Sequence, residues 1–563
     1  MRTWRALPVA WTGLSVLALG CHRPTVDLSN REPAILVRVT PDTDLDAGIA
    51  GQLQQPMSTA FQSAIWQKQF FRTNSDEADA DVSPLIGLRP NHVLVQMYDS
   101  PRVDLPDGGW FWDFSELDAI VQPLLQLGQD PVLQIWPHDP SISPISPDFA
   151  DYCATVLAYY NDGGVGPLVD GGTGRSPGGR IQWWSIWSDP NTGEFNVADG
   201  GALYAKTYRN IVNQMRNVDK GIYFVAPEVN DCVDQNNYSG QSSPCTVGFV
   251  ADFLAALARE DADGAQTPIH ALSVHMLSAD IAVAPGPDSG VATDQAVFQT
   301  VSANFVRDIV KLRVYLADAG RHVPIWVTQN QVNSDVPDLD GGSAHAASHC
   351  DNCDVPFQAD TRGTDGFFTA WRPYVYAALA KAGSEGLFQW QYTAGRCPDG
   401  DAGCSLLDSS DTDRQNAEID YQSGAKYLSY WVDRTLGQMF GAGGNILSVQ
   451  VTDDGQSDIE TLAVGQPDGN QVVVMVVNHA VAGPSSIDGT GSPRTVVVDL
   501  SQILRADSGS PSDWSATKVT LDGKTDLDAG PEDAGVSLSN GWVPISFDGY
   551  GTTFLALTRT PPP

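Results

Sequence analysis

Between residues 90 and 392, short apolar runs alternate with stretches whose apolar residues recur every three or four positions. The short runs are His92–Tyr98, Pro131–Trp136, Ile181–Trp187, Ile222–Ala226, His270–His275, Val323–Thr328 and Glu385–Trp390. Runs of this length predict strands buried on both faces. Phe114–Leu127, Leu203–Val218, Val247–Ala258, Phe298–Ala319 and Phe367–Ala382 have the period of helices with one buried face. Gly128 is a natural stop for the first of them. A weaker signal near Ala47–Gln54 supplies an eighth β unit. Strict β/α alternation implies a parallel sheet. Eight units over this length fit a (β/α)8 TIM barrel. An open doubly wound sheet lacks its usual support, since no Gly-rich phosphate loop follows the first strand.

After Leu436 the pattern changes. Ile446–Val451, Thr461–Val464, Gln471–Asn478, Thr495–Leu500, Lys518–Leu521, Val543–Phe547 and Thr553–Leu557 are short β-type runs separated by Gly, Asp, Pro and Ser. That spacing predicts a C-terminal β-sandwich. Ala34–Val39 is a further strand candidate for it. The expected organisation is a signal peptide over 1–20, a segment over 21–45, the barrel over 46–435 and the sandwich over 436–563.

Charge narrows the partners. Lys+Arg is 32 and Asp+Glu is 68, a formal net charge of −36. A phosphate backbone is bound by Lys and Arg, so nucleic acid is excluded as the main partner. Only 18% of residues are charged and 42% are hydrophobic, which is the composition of a folded chain.

The amino terminus carries Arg2 and Arg5 before an apolar run from Ala6 to Gly20. A basic start and a short apolar stretch predict export. The run ends in Ala18-Leu19-Gly20-Cys21, which resembles a bacterial lipobox with Ala and Leu exchanged. Lipidation of Cys21 would then be the chain's contact with a membrane. An ordinary secreted protein is the alternative. Export permits disulfides, and Cys232–Cys245, Cys350–Cys353 and Cys397–Cys404 are local pairings that leave Cys153 over. The Cys350–Cys353 pair has His345 and His349 nearby but no second CxxC, so a loop staple is preferred to zinc. The hexapeptide Thr-Asp-Leu-Asp-Ala-Gly occurs at 43–48 and again at 525–530, without the distal Glu of a calcium loop. Both copies are expected to be solvated turns, and no metal or cofactor is expected.

In a barrel of this kind chemistry sits where strands end. The third strand ends in Trp136 and His138, the fourth in Trp187, Ser188, Asp189 and Asn191, and the fifth runs into Glu228. The sixth ends in His275, the seventh in Gln329, and the eighth in Trp390. Trp110, Trp112 and Trp326 lie at or near the same edges. Aromatic rings stack on sugar faces, and amides, His and carboxylates bind hydroxyls. The set therefore points to a carbohydrate.

Ile186-Trp187-Ser188-Asp189-Pro190-Asn191 resembles the Trp-Asn-Glu-Pro-Asn segment of clan A glycoside hydrolases. Trp112-Asp113-Phe114 with Leu117-Asp118, Leu272-Ser273-Val274-His275 and Pro324-Ile325-Trp326-Val327-Thr328-Gln329 resemble segments of family 39, the β-xylosidase and α-iduronidase type. The resemblance implies Asp189 in the general-acid position and Gln329 in the nucleophile position. Together with the strand ends it places Trp136, His138, Trp187, Ser188, Asn191, His275, Trp326 and Trp390 around the substrate.

The departures fall on the chemistry. The family's acid Glu is Asp189 here, and its nucleophile Glu is Gln329. An amide cannot serve as the carboxylate nucleophile of a retaining mechanism. Three routes stay open. Another carboxylate, Glu228, Glu194 or Asp335, replaces the missing one. The substrate's own 2-acetamido group attacks, with Asp189 as acid and Gln329 orienting the acetamide. Or the site binds a glycan without cleaving it. The expectation is an exported glycoside hydrolase-like protein acting on O-glycosidic bonds of a poly- or oligosaccharide. The alternative is a non-catalytic glycan-binding lipoprotein.

Overall fold

A computed structural model of the chain describes residues 35–61, 83–97, 100–105, 110–135, 143, 145–162, 165, 174, 176, 178–191, 195–230, 246–261, 266–279, 293–333, 362–393, 417–419, 424–452, 458–486, 489–506, 511–538 and 540–560. Their strands are numbered here in chain order. β1 is Ile35–Thr43, and the barrel strands are β2 Met57–Phe61, β3 Val93–Met97, β6 Pro131–Ile135, β7 Trp183–Ile186, β8 Tyr223–Val229, β9 Ala271–Ala279, β10 Ile325–Asn333 and β11 Gly386–Trp390. A short hairpin, β4 Arg102–Asp104 and β5 Trp110–Trp112, stands in the connection after β3.

The eight barrel strands close in the order β10-β11-β2-β3-β6-β7-β8-β9, and neighbouring pairs are parallel. The alternation in the sequence thus becomes the (β/α)8 barrel it predicts. Helices including Ser115–Gln126, Pro147–Asn161, Gly200–Val218, Thr246–Glu260 and Phe368–Ala382 follow the strands and cover the outer wall. The barrel interior holds its own small cluster of Ala60, Leu94, Val132, Val225, Ala271, Trp326, Phe388 and Trp390.

One expected strand is misplaced. Ala47–Gln54 is not part of the barrel; it is a turn with Gly48 at φ 63, Ala50 at φ 53 and Gly51 at φ 78. No extended run survives three left-handed residues. The first barrel strand is Met57–Phe61 instead. Its inward residue Ala60 packs in the interior cluster while Met57 joins the outer core. The small and polar residues Ser58, Thr59 and Ala60 gave it no apolar signal.

The remaining strands form one nine-stranded sheet, β17-β16-β19-β14-β13-β12-β1-β15-β18. Here β12 is Asn445–Thr452, β13 Ile459–Gly465, β14 Gln471–Asn478, β15 Arg494–Asp499, β16 Trp514–Asp522, β17 Asp533–Val536, β18 Trp542–Phe547 and β19 Gly551–Arg559. β12 pairs with β13 at one end and with β1 along the other, so the sheet turns over on itself. Val37, Val39, Val474, Val476, Val496, Val498, Ile545 and Leu557 fill the space between its two halves. β1 lies antiparallel to β12 and parallel to β15.

Both hexapeptide copies are turns whose first Asp accepts a backbone N–H, Asp46 to Asp44 at 3.2 Å and Asp528 to Asp526 at 2.8 Å. Each copy also ties the sandwich side to a barrel helix. Gly48 N–H donates to the Lys381 carbonyl at 2.7 Å, and Trp431 Nε1 donates to the Leu527 carbonyl at 2.9 Å. Buried Asp294 continues this interface by accepting from Arg362 at 3.1 Å and from the Tyr550 hydroxyl at 2.9 Å. Among the described residues no group of His, Cys, Asp and Glu is placed to hold a metal ion, and no helix is long and apolar enough to cross a membrane. Cys21 and all the other cysteines except buried Cys153 lie outside the described residues.

Candidate functional site

At the carboxyl-terminal end of the barrel, β7, β8 and β9 bring three titratable side chains into one line. Asp189 follows β7, Glu228 lies within β8 and His275 within β9. His275 Nδ1 lies 2.9 Å from Asp189 Oδ1, and its Nε2 lies 3.2 Å from Glu228 Oε2. One imidazole ring therefore separates the two carboxylates. Glu228 is fully buried, and the Asp189 side chain keeps 26% of its surface exposed.

The chain around them is held in an unusual shape. Trp187, Asp189 and Glu228 have φ of 76, 48 and 56, the left-handed region. Such non-Gly residues cost free energy and cluster at functional sites. Asp189 N–H donates to the Glu228 carbonyl at 3.0 Å, and Glu228 N–H donates to Ser273 Oγ at 3.0 Å. Asn191 and Asn230 then lock the two loops together. The Asn191 amide donates to the Asn230 carbonyl at 3.1 Å and accepts its N–H at 2.9 Å.

Glu228 spends its oxygens on the protein. Ser185 Oγ donates to Oε1 at 3.0 Å, and Thr328 Oγ1 and His275 share Oε2. Three acceptor positions of this buried carboxylate are thus taken by protein groups. It also acts on its neighbour His275. Burial opposes a charge on His275, but Asp189 and then Glu228 favour it more strongly, and the imidazole is pushed up to about 9. That raised value favours the imidazolium form of the ring at neutral pH.

The other expected site residues divide. Ser188 is buried with its Oγ 3.4 Å from Asp189 Oδ2. Gln329 is half-buried and in register with His275 on the neighbouring strand. Trp390 belongs to the barrel interior, and its Nε1 has no hydrogen-bond partner among the described residues. These three remain at the mouth.

Trp187 does not serve as a sugar platform, because its buried ring packs edge-on against Phe149 and Phe195 in the helical layer. Asn191 is occupied by the loop lock just described. Trp326 is also corrected. It is the second residue of β10, at the opposite end of the barrel, packed with His92, Trp183 and Phe388. Asp118 fastens helices, accepting from Tyr159, from Tyr160 at 3.0 Å and from Gln122 at 3.3 Å. Trp136, His138, Glu194 and Asp335 lie outside the described residues. Sequence reasoning passed over Ser185 and Thr328. Their one signal is a small hydroxyl residue interrupting an otherwise apolar strand.

No protein-family model matches the chain, and no curated protein matches it in sequence. Solved structures do match in shape. A monomeric beta-xylosidase from Caulobacter crescentus CB15 superposes with a TM-score of 0.57 at 12% identity, over 93% of this chain and 100% of that one. The GH39 enzyme from Xanthomonas axonopodis pv. citri gives 0.56 at 12% identity, over 95% and 99%. A family 51 alpha-L-arabinofuranosidase from Bifidobacterium longum gives 0.59 at 10% identity, over 93% and 100%. At these identities the likeness establishes the fold alone: a barrel with a trailing sandwich, as in these xylosidase and arabinofuranosidase structures.

Proposed function

We propose that the barrel mouth binds a carbohydrate chain, with Asp189 acting as a carboxylate anchor for sugar hydroxyls rather than as a proton donor. The clamped His275 imidazolium carries this reading. In the Asp189–His275 pair the proton belongs to the imidazole, whose own value is about 9. A carboxylate accepts strong charge-assisted hydrogen bonds from hydroxyls. The neutral amide of Gln329 supplies further hydrogen bonds and no nucleophile.

The strained backbone and the buried charge line both cost stability, which supports a site that is still in use. A second reading is hydrolysis with Asp189 as acid. Its partial exposure favours that reading, and Glu194 or Asp335 would then supply the second carboxylate. Incubation with xylo-, gluco- and N-acetylglucosamine oligosaccharides decides between them. The anchor role predicts no new reducing ends after long incubation. Steady release of sugar that stops in Asp189→Asn would install hydrolysis in its place.

Export and lipid attachment at Cys21 belong to the same proposal and are supported by the amino-terminal sequence. A Cys21→Ala chain should leave the membrane fraction; unchanged membrane association would remove the anchor.

A further inference from the structure

The β4–β5 hairpin follows β3 and so stands at the same end of the barrel as Asp189. Its Trp110 keeps 40% of its surface exposed. A single exposed indole on a surface needs no explanation. The mounting of this one does. Trp110 meets the buried ring of Trp112 edge-on at 5.8 Å, and the Arg102 guanidinium lies 5.3 Å from its centroid. Behind Trp112 the rings continue without a break. Trp112 meets Tyr152 at 5.6 Å, Tyr152 stacks on Phe149 at 6.0 Å, and Phe149 meets Trp187 at 5.4 Å. Trp187 stands two residues before Asp189.

The hairpin base is fastened as well. The Ser100 and Tyr152 hydroxyls are 3.2 Å apart, and Asp113 N–H donates to the Pro101 carbonyl at 2.7 Å. The exposed indole is thus carried on a packed series of rings that ends beside the proposed anchor.

We propose that Trp110 is an outlying stacking platform for one sugar ring of an oligosaccharide whose other end reaches Asp189. A pyranose or furanose ring presents a C–H face that suits the negative face of an indole. A ring already held by Trp112 and Arg102 loses little conformational freedom on binding, so more of the contact appears as affinity. The inference rests on the carbohydrate reading of the barrel mouth and adds that the ligand is a chain rather than a single sugar.

The test is calorimetric titration of wild type, Trp110→Ala and Trp110→Phe with xylo-, gluco- and N-acetylglucosamine oligosaccharides of increasing length, from the monosaccharide upward. Wild-type affinity should rise with length. Trp110→Ala should leave the shortest ligands unchanged and weaken the longest by about three- to tenfold, the scale of one aromatic contact. Trp110→Phe should recover most of that loss. If wild type binds but Trp110→Ala is equally tight at every length, or equally weakened at every length, the platform is wrong and the mouth reading stands. If wild type binds none of these sugars, both fall.

Discussion

Glu228→Ala is expected to lose about 3–5 kcal/mol of unfolding free energy, the usual cost of removing one partner from a buried ion pair. The variant leaves the His275 imidazolium with Asp189 alone and strips Ser185 and Thr328 of their shared acceptor. The milder Glu228→Gln keeps the shape and removes the charge, so its effect reports the electrostatics. In wild type the folded value of His275 is about 9 and the unfolded value is near 6.5. A raised value means that the folded state binds the proton more tightly. Its stabilisation, on the order of 3 kcal/mol, is fully present below about pH 6.5 and is lost as pH rises through about 9. Glu228→Gln should lower the titration point of His275 in an NMR pH series and flatten that loss. Half-buried His479, whose value burial lowers, acts oppositely and weakens the fold as pH falls below about 6.5. A Glu228→Ala protein within about 1 kcal/mol of wild type would mean that the trio is not a charged unit.

Arg372→Met should be comparably damaging, at about 3–5 kcal/mol. Arg372 is wholly buried on the helix Phe368–Ala382. It donates to both oxygens of Asp433, at 3.0 and 3.1 Å, and to Asn330 Oδ1 at 2.6 Å. Asn330 in turn donates to the Met276 carbonyl at 2.7 Å, so the guanidinium ties the helical layer to β10 and β9 beside Gln329. Glu418 is buried next to this pair. Burial first, and then the Asp433 charge, push its carboxyl well above the usual range. Without Arg372 the two acids face each other with no cation. The double variant Arg372→Met/Asp433→Leu should regain much of the loss, because an apolar pair often replaces a buried ion pair at little cost. Equilibrium denaturation of the two variants measures both values. A double variant as unstable as the single one would assign the loss to packing instead.

Much of the barrel was legible because buried parallel strands read as short apolar runs and their helices as amphipathic ones. The first strand was not, since Ser58, Thr59 and Ala60 carry no apolar stripe. At the mouth, Asp189, His275 and Gln329 were found from strand ends and from family resemblance. Trp326 was misassigned because one turn of sequence cannot say which end of a strand a residue occupies. Glu228 reads in the sequence as a candidate second carboxylate at the end of the fifth strand; its burial depends on Ser185, Thr328 and His275, which come from three other strands. The aromatic series from Trp110 to Trp187 was hidden for the same reason, as Phe149 and Tyr152 reach it from a separate helix.

The central claim is that the Asp189 carboxylate anchors the sugar. Asn tolerates the left-handed backbone at this position and matches Asp in shape, so Asp189→Asn changes little but the charge. Calorimetry of wild type and Asp189→Asn with the tightest-binding oligosaccharide is the direct measurement. The anchor predicts about tenfold weaker binding, the difference between a charge-assisted and a neutral hydrogen bond. Equal affinity in the two proteins would contradict it.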